Sequence, residues 1–293
     1  MKTVLVTGAS GQLGSCLQKI ANERLEIDWL FLTSAEMSVS SKKDLRLVFG
    51  NKQIDYCINC AAYTNVEKAE SEKDKAFDIN ATAVKELALI CKEHNLVLIH
   101  ISTDYVFDGE KELPYLETDL TNPINVYGAS KLQGEKHIQE ILDKYFIFRT
   151  SWLYSQFGHN FFKTVLKKAY EGETLNITTA QTGTPTNAND LAEFLTNLIV
   201  EGNANYGLYH FSNLGATTWY GFAKKILEIT ALNEKVELNK DTSYTTIAKR
   251  PQNSVLDKEK LETSFKIDLN TWEKAVEELL RSEYKDLLEH ATR

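Results

Sequence analysis

Strand-like runs that alternate with helical patterns over the first 150 residues predict an α/β fold, a doubly wound parallel sheet. Two further features agree. A glycine triplet separates the first strand from the first helix, and beyond about residue 150 the alternation loosens, which marks a smaller C-terminal lobe.

Residues 3–7 form a β-branched-rich strand, and residues 12–21 carry a helical pattern. Between and into them run Gly8, Gly11, Gln12, Leu13 and Gly14, spaced G-x-x-G-x-x-G rather than G-x-G-x-x-G. Glycine there permits a tight turn, lets backbone N–H groups approach a pyrophosphate and allows the helix to pack closely on its strand. The strand–glycine–helix context makes this a Rossmann-type dinucleotide turn rather than a plain one. The expected division is therefore a dinucleotide-binding domain over 1–150 and a mainly substrate-binding lobe over 151–293, with some segments returning to the first domain.

The second strand, residues 27–32, ends in Thr33-Ser34. Small hydroxyl residues there leave room for a 2′-phosphate, which favours NADPH over NADH. No arginine stands beside Thr33 to clamp that phosphate, and Glu36 keeps NADH open as the alternative. A helix over 42–51 and a strand over 56–59 lead to Ala61-Ala62-Tyr63-Thr64, where small side chains let a cofactor lie close or simply pack strand against helix. Ser71 to His94, apolar at Ala76, Ile79, Ala83, Leu87 and Ile90, reads as one amphipathic crossover helix.

The strand over 96–103 ends in hydroxyls, and Thr103 is expected to face the same crevice as the glycine turn, because open α/β sheets bind ligands at the carboxyl ends of their strands. Asp104 to Gly109 reads on its own as a polar loop. A strand over 145–150 delivers Ser151-Trp152-Leu153-Tyr154. Later elements are helices over 161–170, 190–200 and 219–229, strands over 175–178 and 208–211, and a final helix from about Thr271.

Val126-Tyr127-Gly128-Ala129-Ser130-Lys131-Leu132 lies on a helix, so Tyr127 and Lys131 share one face. A free phenol titrates near ~10, and a lysine charge beside it favours phenolate. The pair reads as a proton donor with its tuner. Alone, the spacing is common by chance and fits an exposed face on which two side-chain stems pack. Its surroundings decide.

The chain has 293 residues, 43% hydrophobic and 25% charged, an ordinary globular composition. Its net charge of -8 argues against a nucleic-acid partner or an anionic membrane surface. No apolar stretch reaches membrane-spanning length, and the first residues lack a signal-peptide core. Four cysteines, Cys16, Cys57, Cys60 and Cys91, are too few for a disulfide-built fold and suggest a reducing cytoplasm. Cys57 and Cys60 read as buried strand-end thiols, since no second Cys or His pair stands at zinc-ligand spacing.

Several blocks together resemble a known family: Thr7 to Gly14, Ser102-Thr103-Asp104-Tyr105-Val106-Phe107-Asp108-Gly109, Val126 to Leu132, and Arg149-Thr150-Ser151-Trp152. With Gly183-Thr184-Pro185-Thr186, Thr218-Trp219-Tyr220 and Arg250-Pro251-Gln252-Asn253-Ser254, they are similar to the dTDP-4-dehydrorhamnose reductases, which are extended short-chain dehydrogenase/reductases. The resemblance implies reduction of a 4-keto dTDP-sugar by a nicotinamide cofactor. It implies Tyr127 as proton donor, Lys131 as its partner on the nicotinamide ribose, and Thr103 as the hydroxyl on the reacting oxygen. Gly8, Gly11, Gln12, Leu13, Gly14, Ala61, Ala62 and Tyr63 become cofactor contacts, and Thr64, Asp104, Tyr105, Trp152 and the basic Arg250 substrate contacts.

Two departures stand out. Ser38-Val39 occupies the place of the family's acidic–hydrophobic pair near the adenine, and Cys16 stands where some relatives carry a magnesium-binding glutamate. No metal site is expected, and a homodimer is compatible with the sequence only through another surface. The rival readings are another extended short-chain nucleotide-sugar reductase or epimerase, and a non-catalytic NADP-binding regulatory subunit. The joint presence of Thr103, Tyr127 and Lys131 argues for catalysis.

Overall fold

The computed structural model describes residues 1–243 and 245–285. Its centre is a six-stranded sheet whose first five strands in chain order are β1 (Lys2–Thr7), β2 (Ile27–Leu32), β3 (Tyr56–Asn59), β4 (Val97–Thr103) and β5 (Tyr145–Thr150). The spatial order is Gly207–His210, β5, β4, β3, β1, β2, and every pairing is parallel. The chain leaves β1 toward β2 on one side and returns to β3 on the other. The crevice this reversal opens lies at the carboxyl ends of β1 and β3, where a doubly wound sheet takes its ligand.

Both faces of the sheet are covered, which is why its inner strands are mainly apolar rather than alternating. On one face Val4, Val6 and Ile58 pack with Leu13 and Leu17 of α1 (Gln12–Ala21) and with Leu191, Leu195 and Leu198 of the Ala188–Glu201 helix. On the other, Leu5, Cys57 and Leu98 meet Leu45 and Phe49 of α2 (Lys42–Asn51), with Leu87 and Ile138. The C-terminal half thus contributes a strand and a helix to the sheet layer. A separate apolar cluster around Tyr154, Phe162, Phe222 and Trp272 forms the core of the remaining lobe.

The crossover segment is not one regular α-helix. Lys73–Phe77 and Ala83–Glu93 are α-helical, and Asp78–Thr82 between them is a π turn. The widened turn carries Asn80, whose amide accepts from the Tyr63 N–H (2.9 Å) and donates to the Tyr63 carbonyl (3.0 Å) and the Ser130 hydroxyl (3.0 Å). The helix expected at 190 starts at Ala188, because the Asn187 side chain accepts the Asn189 N–H and caps it. Asp104–Gly109 is no polar loop: Asp104–Val106 is a 3₁₀ turn, and residues 104–107 are buried.

Candidate active site

The glycine turn is shaped by contact as much as by conformation. Gly8 has φ +63°, and a Cβ on it would stand 2.7 Å from the Ala61 nitrogen, so only glycine lets the exits of β1 and β3 close on each other. Gly11 is the N-cap residue of α1 and supplies no side-chain cap. The first N–H groups of the helix therefore stay open to an anion. Gly11, Gln12 and Leu13 face a cleft of about 590 Å³, which is also lined by Ala62, Thr64, Thr103, Tyr127, Lys131, Trp152, His159, Asn160 and Trp219.

The Val126–Ile141 helix carries the catalytic candidates. Asn125 caps it by accepting the Gly128 N–H (2.8 Å) and ties its start to the second half by donating to the Lys249 carbonyl (2.8 Å). The Tyr127 phenol lies beside the Thr103 hydroxyl and both face the cleft, so strand end and helix start converge. Burial pushes this phenol up to about 12; the Thr103 hydroxyl opposes the rise and the nearby Asp104 charge adds to it. The tuning by Lys131 expected from the sequence is not what the geometry gives. The Lys131 ammonium head donates to the Ile101 carbonyl (2.6 Å) and lies 3.3 Å from His100 Nε2. Its burial lowers it to about 8, against the opposing charges of Glu135 and Cys60. The phenol thus stays protonated at neutral pH, which suits a donor.

Thr103 is oriented by its neighbours. Its hydroxyl accepts from the Tyr105 N–H (3.2 Å) and donates to the Asp104 carboxylate (3.0 Å). Burial raises Asp104 to about 6 despite bonds from Ser254 and Thr103. Tyr105 packs edge-on against Tyr127, with ring centroids 5.9 Å apart. Trp152 adopts φ +46°, uncommon for a bulky residue, and stacks on Trp219 at 3.7 Å. Trp219 is anchored by its indole N–H donating to Gln181 (3.0 Å).

Other expected residues lie outside the cleft wall. Tyr63 packs behind Tyr127 and directs its hydroxyl to Glu72. Gly14 holds α1 against Ala9, and Asp104 and Tyr105 are buried beneath the Thr103 turn. Ser38 donates its N–H to Asp44, and Val39 joins the apolar layer over β1 and β2. Glu36 folds back onto the N–H and hydroxyl of Thr33. Arg250, expected at a substrate phosphate, is ion-paired with Glu67 (2.9 Å). The Gln12 amide is committed to the second lobe, donating to the Leu153 carbonyl and accepting from Asn160 and Ser155, so only its backbone is left for a cofactor.

Sequence reasoning missed the stacking partner Trp219, the buried Glu135–Arg149 ion pair (2.7 Å) and His100 behind Lys131. A signal existed for the last two: a histidine and an arginine inside otherwise apolar strands need buried partners.

The family model described as RmlD substrate binding domain matches residues 1–285. A dTDP-4-dehydrorhamnose reductase of Aggregatibacter actinomycetemcomitans is 36% identical over 289 residues, covering 95% of this chain and 98% of the relative. The chain belongs to the dTDP-4-dehydrorhamnose reductase family. The family's reductase from Escherichia coli K12 is 44% identical over 236 residues, 77% of this chain and 79% of that one. A crystal structure of the Bacillus anthracis dTDP-4-dehydrorhamnose reductase in complex with NADP superposes with a TM-score of 0.91 at 36% identity, covering 96% of this chain and 99% of the other. In this family member Cys16 is fully buried, and among the described residues no group of three or more His, Cys, Asp or Glu is arranged to hold a metal. Its four cysteines are free thiols, and no helix among the described residues is long and apolar enough to cross a membrane.

Proposed function

We propose that this protein reduces the 4-keto group of dTDP-4-dehydro-L-rhamnose to give dTDP-L-rhamnose, with NADPH as the favoured reductant and NADH as the alternative. The observation that carries the reading is the meeting of the Thr103 hydroxyl and the Tyr127 phenol in a cleft floored by the glycine turn, in a chain of this family. The uncapped start of α1 and the Gly8–Ala61 approach fit a dinucleotide: Gly11 to Leu13 would hold its pyrophosphate, Ala62 would flank it, and Lys131 would hold the nicotinamide ribose. The bound cofactor supplies the hydride.

The chain supplies the proton and the charge stabilisation. Tyr127 donates its phenolic proton to the sugar oxygen as negative charge develops there, and Thr103 shares the same oxygen. A phenol held up at about 12 keeps that proton until the stronger alkoxide base appears. Trp152, stacked on Trp219, offers a broad apolar face to the sugar or base.

Incubation of the protein with NADPH and dTDP-4-dehydro-L-rhamnose, followed by absorbance of the reduced cofactor and by product analysis, tests the reading. Consumption of both with formation of dTDP-L-rhamnose is expected. Tight NADPH binding without turnover of any 4-keto dTDP-sugar would instead leave a regulatory cofactor-binding protein.

A further inference from the structure

Behind Lys131 lies a polar chain that the reaction just described does not use. The Thr7 hydroxyl donates to Asn59 Oδ1 (2.7 Å), and Asn59 Nδ2 meets His100 Nδ1 at 3.0 Å. His100 Nε2 is 3.3 Å from Lys131 Nζ, which donates onward to the Ile101 carbonyl. These four residues come from β1, β3, β4 and the catalytic helix, and all are 2% exposed or less. A buried polar group without a partner costs on the order of 1–3 kcal/mol, so each member depends on the next.

The direction of the chain follows from its far end. Thr7 Oγ1 accepts the Ala61 N–H (3.4 Å) and gives its own proton to Asn59 Oδ1, which turns the Asn59 amide N–H toward His100 Nδ1. Burial and the Lys131 charge both hold His100 well below the ordinary histidine range, so the ring is neutral. Its Nε2 stands 3.3 Å from the lysine head, so the ring fills the gap between Asn59 and Lys131. The other ionisable groups around Lys131 are Glu135 on its own helix, paired with Arg149, and Cys60 at the end of β3. Neither is a hydrogen-bond partner of the lysine head that competes with His100.

We infer that His100 is a positioning residue for Lys131: locked by Asn59 and Thr7, it holds the lysine head against the Ile101 carbonyl, at the height where the nicotinamide ribose must be met. Thr7 is also the last residue before Gly8, so the same chain ties the lysine to the glycine turn through the interior of the sheet. This inference rests on the proposed role of Lys131 as the residue that holds the ribose.

The test is a double-mutant cycle on the full-length protein, read by NADPH fluorescence titration and by kcat. His100→Asn keeps a polar atom near Asn59 but ends short of Lys131, and His100→Gln returns an amide group near the Nε2 position. H100N is expected to weaken NADPH binding roughly tenfold or more, the scale of a hydrogen bond to a charged or ionisable group. H100Q is expected to recover most of that loss. In a Lys131→Met background H100N should add nothing, because its effect passes through the lysine. Equal, additive losses in both backgrounds would overturn the positioning role. If K131M alone leaves NADPH affinity and kcat unchanged, the assignment of Lys131 fails instead, which keeps the two failures apart. Nitrogen-15 NMR of the unmutated protein gives a readout independent of folding of the variants: His100 should stay neutral across about pH 5.5–8, the range in which an unperturbed histidine titrates. An imidazolium in that range would overturn the inference.

Discussion

The carbonyl oxygen of Tyr105 lies in the space that a Cβ on Gly128 would occupy. The 3₁₀ turn after β4 therefore rests directly on the backbone of the Val126–Ile141 helix, next to Thr103 and Tyr127. The glycine of Tyr-Gly-Ala-Ser-Lys is thus a spacing device. Gly128→Ala is expected to lift the turn and shift Thr103 away from Tyr127, lowering kcat by roughly 10²-fold, the scale of a misplacement of about 1 Å at the reacting groups. NADPH affinity should change little, since the glycine turn and Lys131 are untouched. Steady-state kinetics beside a cofactor titration checks this, and a G128A enzyme with native kcat would show that the close approach has no bearing on catalysis.

Tyr127→Phe removes the proposed proton donor while leaving the ring that packs against Tyr105 and Tyr63. Turnover of the 4-keto sugar should fall by ~10²–10⁴-fold, the range for loss of a general acid, with NADPH binding retained. Because burial holds the phenol near 12, the native enzyme should show no loss of rate from Tyr127 ionisation between about pH 6 and pH 9, more than two units below that value. A rate limb in that window that disappears in Y127F would contradict the raised phenol.

Asp104 gives a stability signature with a definite sign. Its folded value of about 6 lies above the 3.8 of a free aspartate, so the folded state binds the proton more tightly. The associated stability is present below about pH 4 and is lost as pH rises through about 6. By neutral pH, ionising this carboxyl costs roughly 3 kcal/mol. Asp104→Asn removes that cost. Its melting temperature is expected to exceed that of the native chain near pH 7.5 and to match it near about pH 4, where the native group is also neutral. Activity should fall, since Asp104 orients the Thr103 hydroxyl. A variant that matches native near about pH 4 but is less stable than native near pH 7.5 would mean that the carboxylate is stabilising.

The sheet was legible in the sequence because its inner strands are buried on both faces and therefore mainly apolar; β1, β2, β3 and β5 begin and end where turn residues and polarity change. The π turn at Asp78–Thr82 was not, since one extra residue in a turn leaves the apolar spacing of a helix nearly intact. Thr103, Tyr127 and Lys131 were placed correctly in one cleft because strand ends and helix faces follow from local pattern. Side-chain partners did not follow. Arg250 reads as a free basic group until Glu67, 183 residues away, is brought to it, and the polar chain behind the lysine draws on three different strands. What a residue touches across the fold depends on topology, and a linear pattern carries little of that.

The Glu135–Arg149 pair shows the energetic side of the same point. Both side chains are nearly inaccessible, two parallel bonds join Arg149 Nε to Glu135 Oε1 (3.0 Å) and Nη2 to Oε2 (2.7 Å), and the guanidinium also lies over the Phe107 ring at 5.1 Å. The pair stands one turn beyond Lys131 and fastens the catalytic helix to β5. Removing one partner strands a buried charge, so Arg149→Met is expected to cost about 3–5 kcal/mol of stability, seen as a lower denaturant midpoint. Replacing both, as in E135L/R149M, removes the stranded charge and should recover much of the loss, because two charges taken from water roughly cancel their mutual attraction. The cycle therefore separates the cost of an orphaned ion from the net worth of the pair. If R149M stays within about 0.5 kcal/mol of native, the scale of a surface substitution, the helix is held to the sheet by its apolar contacts alone.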